Sequence, residues 1–423
     1  MDKMIVHGGR TLQGEVFISG SKNSALPILA ATLLTRDRCI IENVPDLSDI
    51  HYMLTILSML GCEVERASGV VQVKASHIKT EAPYEIVRKM RASVCILGPL
   101  LGREHAATVS LPGGCVIGDR PIDLHLRGFE ELGATVQVKG GDIHVLASHL
   151  QGATINLRGK YGPTVLGTGN IMMAAVLADG ITVIEGAAEE PEVIDLAEVL
   201  IKMGAKIHGA GTTRIVIEGV KELSGFTHTV IPDRIEAGTF LIAGAIAGKK
   251  LTVRHIIPKH LDALLDVLRE VGFDLLSTQE SITLTSHGPK KPLQIETLPF
   301  PGFATDLQAQ LCAMLSTIEG VSTITEHIFP QRFMHVAELK RMGANIELHG
   351  ATATIIGVNQ LSGAPVMASD LRASAALVLA ALAADGPTEI SRVYHIDRGY
   401  EGIDKKLNKL GARIERVNPD ISY

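Results

Sequence analysis

The sequence predicts an α/β chain of two lobes, each built from three copies of one unit with its most apolar helix inside and its strands outside. Three observations lead to this. A glycine that ends an amphipathic helix and opens a strand recurs six times, at Gly61, Gly133, Gly204, Gly272, Gly343 and Gly411, about every 70 residues. Each unit also holds a second helix that is apolar nearly all round, the mark of a buried helix. Finally, 423 residues exceed what one hydrophobic core usually supports, so six units divide as three and three, joined near Val230 to Asp233.

The glycine stops read Leu60-Gly61-Cys62-Glu63-Val64 through to Leu410-Gly411-Ala412-Arg413-Ile414. Glycine suits the left-handed position that closes a helix, where a side chain would clash. Ahead of it the apolar residues keep helical spacing: Ile50, Met53, Leu54, Leu57 and Leu60 in the first copy, and Leu261, Leu264, Leu265, Leu268 and Val271 in the fourth. The all-apolar helices are Ser24 to Leu34, Ala237 to Ala247 and Ala373 to Ala384. Between helices lie β-branched runs such as Ile181-Thr182-Val183-Ile184, Leu251-Thr252-Val253-Arg254 and Val321-Ser322-Thr323-Ile324, which read as strands. Aromatics are only 4% and tryptophan is absent, so the interior must be aliphatic and closely packed with help from 42 glycines.

Composition excludes several classes. A net charge of −6 leaves no basic stripe for nucleic acid. The start, from Met1 to Gly9, lacks the apolar core of a signal peptide, and the longest apolar stretch, Ala373 to Ala384, is too short to span a bilayer. Five cysteines without a CxxC pair suggest a reduced compartment. The 16 histidines show no HExxH or repeated ligand spacing, so no metal is expected. No GxSxG elbow or Walker loop occurs, and Gly302-Phe303-Ala304-Thr305-Asp306 is not a dinucleotide fingerprint. A soluble, cytoplasmic protein without a cofactor is the expectation.

Candidate chemistry gathers at the heads of the buried helices: Ser21-Lys22-Asn23, Arg88-Lys89-Met90-Arg91, Gly167-Thr168-Gly169-Asn170, Pro232-Asp233-Arg234, Ala304-Thr305-Asp306 and Ser369-Asp370-Leu371-Arg372. A helix start offers unpaired amides, and a lysine or arginine there sharpens a preference for anions. Ordinary caps and surface ion pairs are the competing reading for any one head. Among the cysteines, Cys39, Cys62, Cys95 and Cys312 sit in apolar contexts and read as small buried hydrophobes. Cys115 differs, lying in Leu111-Pro112-Gly113-Gly114-Cys115-Val116-Ile117-Gly118-Asp119-Arg120-Pro121, where a reactive thiol and an inert loop cysteine are both open readings. His125 reads as a structural histidine.

Together the segments Ser19 to Pro27, Pro112 to Leu124, Asp233 to Phe240, Phe303 to Gln310, Arg332 to His335, Asp370 to Ser374 and His395 to Glu401 resemble the UDP-N-acetylglucosamine 1-carboxyvinyltransferases, a family of enolpyruvyl transferases. The resemblance covers essentially the whole chain. It implies an EPSP-synthase-like fold of two inverse (inside-out) α/β barrels, one lobe spanning 22–231 and carrying the Cys115 loop. The other lobe is discontinuous, residues 1–21 plus 232–423. It further implies transfer of the enolpyruvyl group of phosphoenolpyruvate to the 3-hydroxyl of UDP-N-acetylglucosamine, with release of phosphate, in the first committed step of peptidoglycan synthesis. The small-molecule partners are those two substrates; neither nucleic acid nor membrane is expected.

By the same resemblance Cys115 donates the proton to the methylene carbon, from a loop that closes over the substrate, and Asp306 takes the proton of the sugar hydroxyl. Lys22, Arg120, Arg372 and Arg398 clamp phosphate and carboxylate, and Asn23 bonds the tetrahedral intermediate. Arg91, Arg120, Pro121, Ile122, Asp123, Leu124, Asp306 and Ile328 match the nucleotide-sugar contacts, and Arg332 matches a further site arginine. One stretch departs: Lys160 to Asn170 looks longer and richer in glycine than the family's run against the diphosphate. Two other readings stand beside the first. The sister enzyme 3-phosphoshikimate 1-carboxyvinyltransferase shares the fold but carries Lys-Ser where this chain has Lys22-Asn23. A non-catalytic paralogue that binds the nucleotide sugar is the other.

Overall fold

A computed structural model describes residues 2–82, 84–87, 90–111 and 122–417. Cys115, Arg120 and Pro121 lie outside the described residues, and Arg91 is described by its backbone alone.

All six repeat glycines end a helix and have φ between 90° and 108°. The bonding is the same at each. The glycine amide donates to the carbonyl three residues back and the next amide to the carbonyl five back; for Gly61 these are Ser58 and Leu57, each at 3.0 Å. That pair of bonds satisfies helix carbonyls that would otherwise be orphaned. The residue after the glycine (Cys62, Ala134, Ala205, Phe273, Ala344, Ala412) is buried in every copy, which anchors the turn in the core. A strand then begins at Glu63, Thr135, Lys206, Asp274, Asn345 and Arg413.

The helices ahead of the glycines bury the stripes their spacing predicts. Ile50, Met53, Leu57, Leu60, Leu268 and Val271 are fully buried and Leu261, Leu264 and Leu265 nearly so. Each such side chain contributes about 1.5–3 kcal/mol relative to exposure.

The described residues divide into two compact units, one within 20–231 and the other within 1–19 and 232–423. In the first, three sheets accompany the apolar helices Lys22–Ala31, Leu97–Glu104 and Val165–Ala175. Their strands run in the orders Thr227–Thr229, Arg38–Glu42, Val70–Lys74, Glu63–Ala67; Ala106–Ser110, Asp142–Leu146, Thr135–Lys139; and Lys206–His208, Arg214–Glu218, Ile181–Glu185, Thr154–Asn156. The strand after the glycine always takes an edge, antiparallel to its neighbour. The interior helices approach closely. A Cβ at Gly98 would lie 2.2 Å from the Asn170 carbonyl, so only glycine fits there.

The second unit repeats the plan around Arg234–Ala247, Gln308–Leu315 and Leu371–Ala383, here with three four-stranded sheets. In its last copy Arg413–Val417 pairs with Lys3–His7, which lies antiparallel both to it and to Pro387–Ser391. Leu12–Phe17 supplies the parallel strand beside Gly248–Arg254. Among the described residues no sheet closes on itself.

Candidate active site

In the second unit Asp306 sits in a single 3₁₀ turn, Thr305–Leu307, that leads into the buried helix Gln308–Leu315. Its two carboxylate oxygens face two arginines. Arg332 Nη1 donates to Oδ1 at 2.7 Å and Arg372 Nη2 to Oδ2 at 2.9 Å. The arginine side chains are 7% and 4% exposed, while that of Asp306 is 25% exposed, so the carboxylate is the open member of the trio. Burial works against the charge of Arg372, but Asp306, Tyr400 and Asp233 outweigh it and raise its pKa further. The Nη1 of Arg372 is buried and has no hydrogen-bond partner among the described residues. A charged donor left so is expensive unless another group satisfies it.

Arg332 Nη1 also donates to Thr305 Oγ1 at 3.0 Å, and Thr305 donates to the fully buried Glu326 at 2.9 Å. The other oxygen of Glu326 accepts from Thr297 and from the amides of Ile328 and Phe329. One buried carboxylate therefore fixes both the turn before Asp306 and the loop that carries Ile328. Arg398 ends the 3₁₀ turn Val393–Arg398 and is half-buried. With burial as the larger cause, its charge holds the neighbouring His395 below the usual histidine range.

In the first unit Lys22 opens its helix and pairs through Nζ with Asp49 at 3.0 Å, the side chains 11% and 3% exposed. Asn23 follows and borders a cavity of about 20 Å³ with Asn170, Glu192 and Cys95, the size for one water molecule. Arg91 opens the 3₁₀ turn Arg91–Ile96. Ile122 and Asp123 start the helix Asp123–Glu131. Leu124 lies against Gly159, just before the stretch that departs from the family pattern: a Cβ there would meet it at 3.1 Å. Arg158–Gly159 pairs with Gly162–Pro163, inside that stretch, in a two-residue ladder.

The structure corrects the reading of the helix heads as a set of anion sites. Asp233 and Asp370 cap their own helices, each accepting from two backbone amides. Thr164 caps the helix Val165–Ala175, so Gly167 to Asn170 lie inside it rather than at its start. Asn170 is a buried fastener, bonded to Val94, Gly98 and His125. At these three heads the ordinary-cap reading wins, because an acceptor side chain already occupies the amides.

The four cysteines among the described residues are buried, and burial pushes each thiol up to about 12. Sequence reasoning missed Asp49, Glu326, Thr239 and Tyr400. The last two lie within the segments quoted above, but no spacing marked them out. No group of three or more His, Cys, Asp or Glu among the described residues could hold a metal, and no helix there is long and apolar enough to cross a membrane.

Known proteins resemble this chain along its length. The family model for EPSP synthase (3-phosphoshikimate 1-carboxyvinyltransferase) matches residues 6–407. A UDP-N-acetylglucosamine 1-carboxyvinyltransferase of Akkermansia muciniphila is 57% identical, over 99% of this chain and 100% of its own. One of Methylacidiphilum infernorum is also 57% identical, with 99% of each chain covered. Among solved structures, the enolpyruvyl transferase NikO from Streptomyces tendae superimposes with a TM-score of 0.89 at 26% identity, covering 98% of both chains. An EPSP synthase from Acinetobacter baumannii matches with a TM-score of 0.74 at 16% identity, a likeness of fold.

Proposed function

The chain belongs to the EPSP synthase family and, within it, to the UDP-N-acetylglucosamine 1-carboxyvinyltransferases, and on that premise we propose how its residues move an enolpyruvyl group from phosphoenolpyruvate to the 3-hydroxyl of UDP-N-acetylglucosamine. The observation that carries the proposal is Asp306, a partly open carboxylate held by two buried arginines, one of which has a nitrogen without a partner among the described residues.

Asp306 removes the proton of the 3-hydroxyl as its oxygen bonds to the central carbon of phosphoenolpyruvate, and Cys115 gives a proton to the methylene carbon. The product of this addition is a tetrahedral phospholactoyl adduct. The Cys115 thiolate then takes a proton back from the new methyl group as the carbon–oxygen bond to phosphate breaks, and the enolpyruvyl ether and phosphate result. The spare nitrogen of Arg372 suits an anionic oxygen of phosphoenolpyruvate or phosphate, since a planar guanidinium matches such groups in pairs of bonds. Lys22, Arg120 and Arg398 share that load, and Asn23 bonds the adduct. Arg91, Arg120, Pro121, Ile122, Asp123, Leu124 and Ile328 hold the nucleotide sugar. The reaction belongs in the cytoplasm, in peptidoglycan synthesis.

Two experiments test this. Incubation with both substrates should yield the 3-enolpyruvyl ether, identified by mass spectrometry and proton NMR; sugar binding by calorimetry without ether would instead mark a non-catalytic paralogue. An epoxide phosphonate such as fosfomycin should alkylate Cys115 alone, because a thiol held near 12 is a poor nucleophile at neutral pH. Labelling at Cys39, Cys62, Cys95 or Cys312 would overturn the assignment of Cys115.

A further inference from the structure

Three of the segments that single out this chain meet in the interior of the second unit through residues with no role in the mechanism above: Thr239, Gln310 and Tyr400. The hydroxyl of Tyr400, 1% exposed, lies 2.9 Å from Thr239 Oγ1 and 3.1 Å from Gln310 Nε2. Gln310 Nε2 also donates to Thr239 Oγ1 at 3.1 Å and to the main-chain carbonyl of Asp306 at 2.9 Å. The ring of Tyr400 lies under the guanidinium of Arg372, 5.4 Å from its centroid.

The donors can be assigned by counting hydrogens. Thr239 gives its hydroxyl proton to the Ile235 carbonyl at 2.8 Å, so towards Tyr400 it can only accept. Tyr400 must then donate to Thr239, and of the two Gln310 amide hydrogens one goes to the Asp306 carbonyl while the other is shared between the Tyr400 and Thr239 oxygens. The amide of Gln310 has one orientation, because turning it over would set its oxygen against the Asp306 carbonyl, two acceptors with no hydrogen between them. Direction is thus fixed from Gln310 through Tyr400 and Thr239 to the helix backbone. Burial keeps the Tyr400 hydroxyl protonated by raising its pKa.

We propose that Thr239, Gln310 and Tyr400 form a positioning unit for the transfer, locking the turn that carries Asp306 and the guanidinium of Arg372 to one buried hydrogen-bond chain. This rests on the roles given to Asp306 and Arg372 above. The unit ties the two partners of one ion pair from behind, through the backbone of the carboxylate residue and the face of the arginine. Loosening it lets the pair rotate without removing either charge, and small misplacements of reacting groups cost rate more than binding.

The test compares Tyr400→Phe, Thr239→Val and Thr239→Ser with the wild type in one phosphate-release assay, alongside thermal unfolding. Tyr400→Phe and Thr239→Val should each lower kcat about tenfold, with KM for the nucleotide sugar within about twofold. Thr239→Ser, which keeps the acceptor, should restore most of kcat. Because the three residues act in series, the double variant Tyr400→Phe/Thr239→Val should be no slower than the slower single one. A drop in unfolding temperature with wild-type kcat per folded molecule would overturn the proposal, as would fully multiplicative losses in the double variant. Failure of the functional reading would show in the wild type itself, whereas failure of the positioning unit shows in the variants, as wild-type kcat or as multiplicative losses.

Discussion

Each unit contains an aspartate that collects several donors, and the two are built for opposite ends. Asp195, in the first unit, accepts from Ser24, from the Ile231 amide and from His228 Nε2 at 2.8 Å, with its side chain 1% exposed. Lys202 donates to the other nitrogen of His228, so the ring must present its proton to Asp195. Every oxygen is used and water is shut out. Asp306 instead takes its bonds from two arginines, stays a quarter exposed, and has beside it a buried nitrogen with no acceptor among the described residues. A closed set of bonds holds a fold together; an incomplete one beside an open carboxylate is equipped for chemistry.

Five substitutions break or sharpen that contrast. The largest effect falls on Asp306→Asn, which keeps the shape and removes the base. Turnover should drop about 100- to 1,000-fold while the protein still folds, as steady-state kinetics and circular dichroism will show. Asp195→Asn should do the reverse, costing about 2–4 kcal/mol in denaturant unfolding and leaving turnover per folded molecule within about twofold. Equal behaviour of the two variants would erase the distinction.

The next effect depends on pH. His335 is 2% exposed, and burial, with Arg332 adding to it, lowers its pKa from 6.5 to about 4 against the opposing pull of Asp370. The unfolded chain therefore takes up this proton first. The associated stability is fully present above pH 6.5 and is lost as pH falls towards 4, on the order of 3 kcal/mol in all. His335→Gln should flatten that part of the stability profile; an unchanged slope between pH 4 and 6.5 would show that His335 is not the group responsible. The smallest effect is at a repeat glycine. Gly343 has φ of 90° and no atom within 4 Å of an added Cβ, so Gly343→Ala meets backbone strain alone, about 1–2 kcal/mol. Gly61→Ala would also meet the His77 carbonyl at 2.8 Å and should cost more.

The scaffold was legible because its determinants are local. A glycine after an amphipathic stripe specifies the helix stop, and six spaced repeats reveal the plan. That Lys3–His7 completes the last sheet was legible only through the family resemblance, since strand pairing across nearly the whole chain leaves no periodic trace. The helix heads were harder for a physical reason. An aspartate before a helix reads equally as a cap or as part of a charged site, and geometry alone separates Asp233 and Asp370, which spend an oxygen on their own amides, from Asp306, which does not cap. Asp49 and Tyr400 were invisible for a similar reason: their partners, Lys22 and Arg372, lie 27 and 28 positions away in the sequence and meet them only in the folded chain.

The most direct measurement is phosphate release from phosphoenolpyruvate by the purified full chain, with UDP-N-acetylglucosamine and shikimate 3-phosphate offered separately as acceptors. Release should occur with the nucleotide sugar and be absent with shikimate 3-phosphate. Release with shikimate 3-phosphate and none with the nucleotide sugar would contradict the assignment and transfer the same scaffold to the sister reaction.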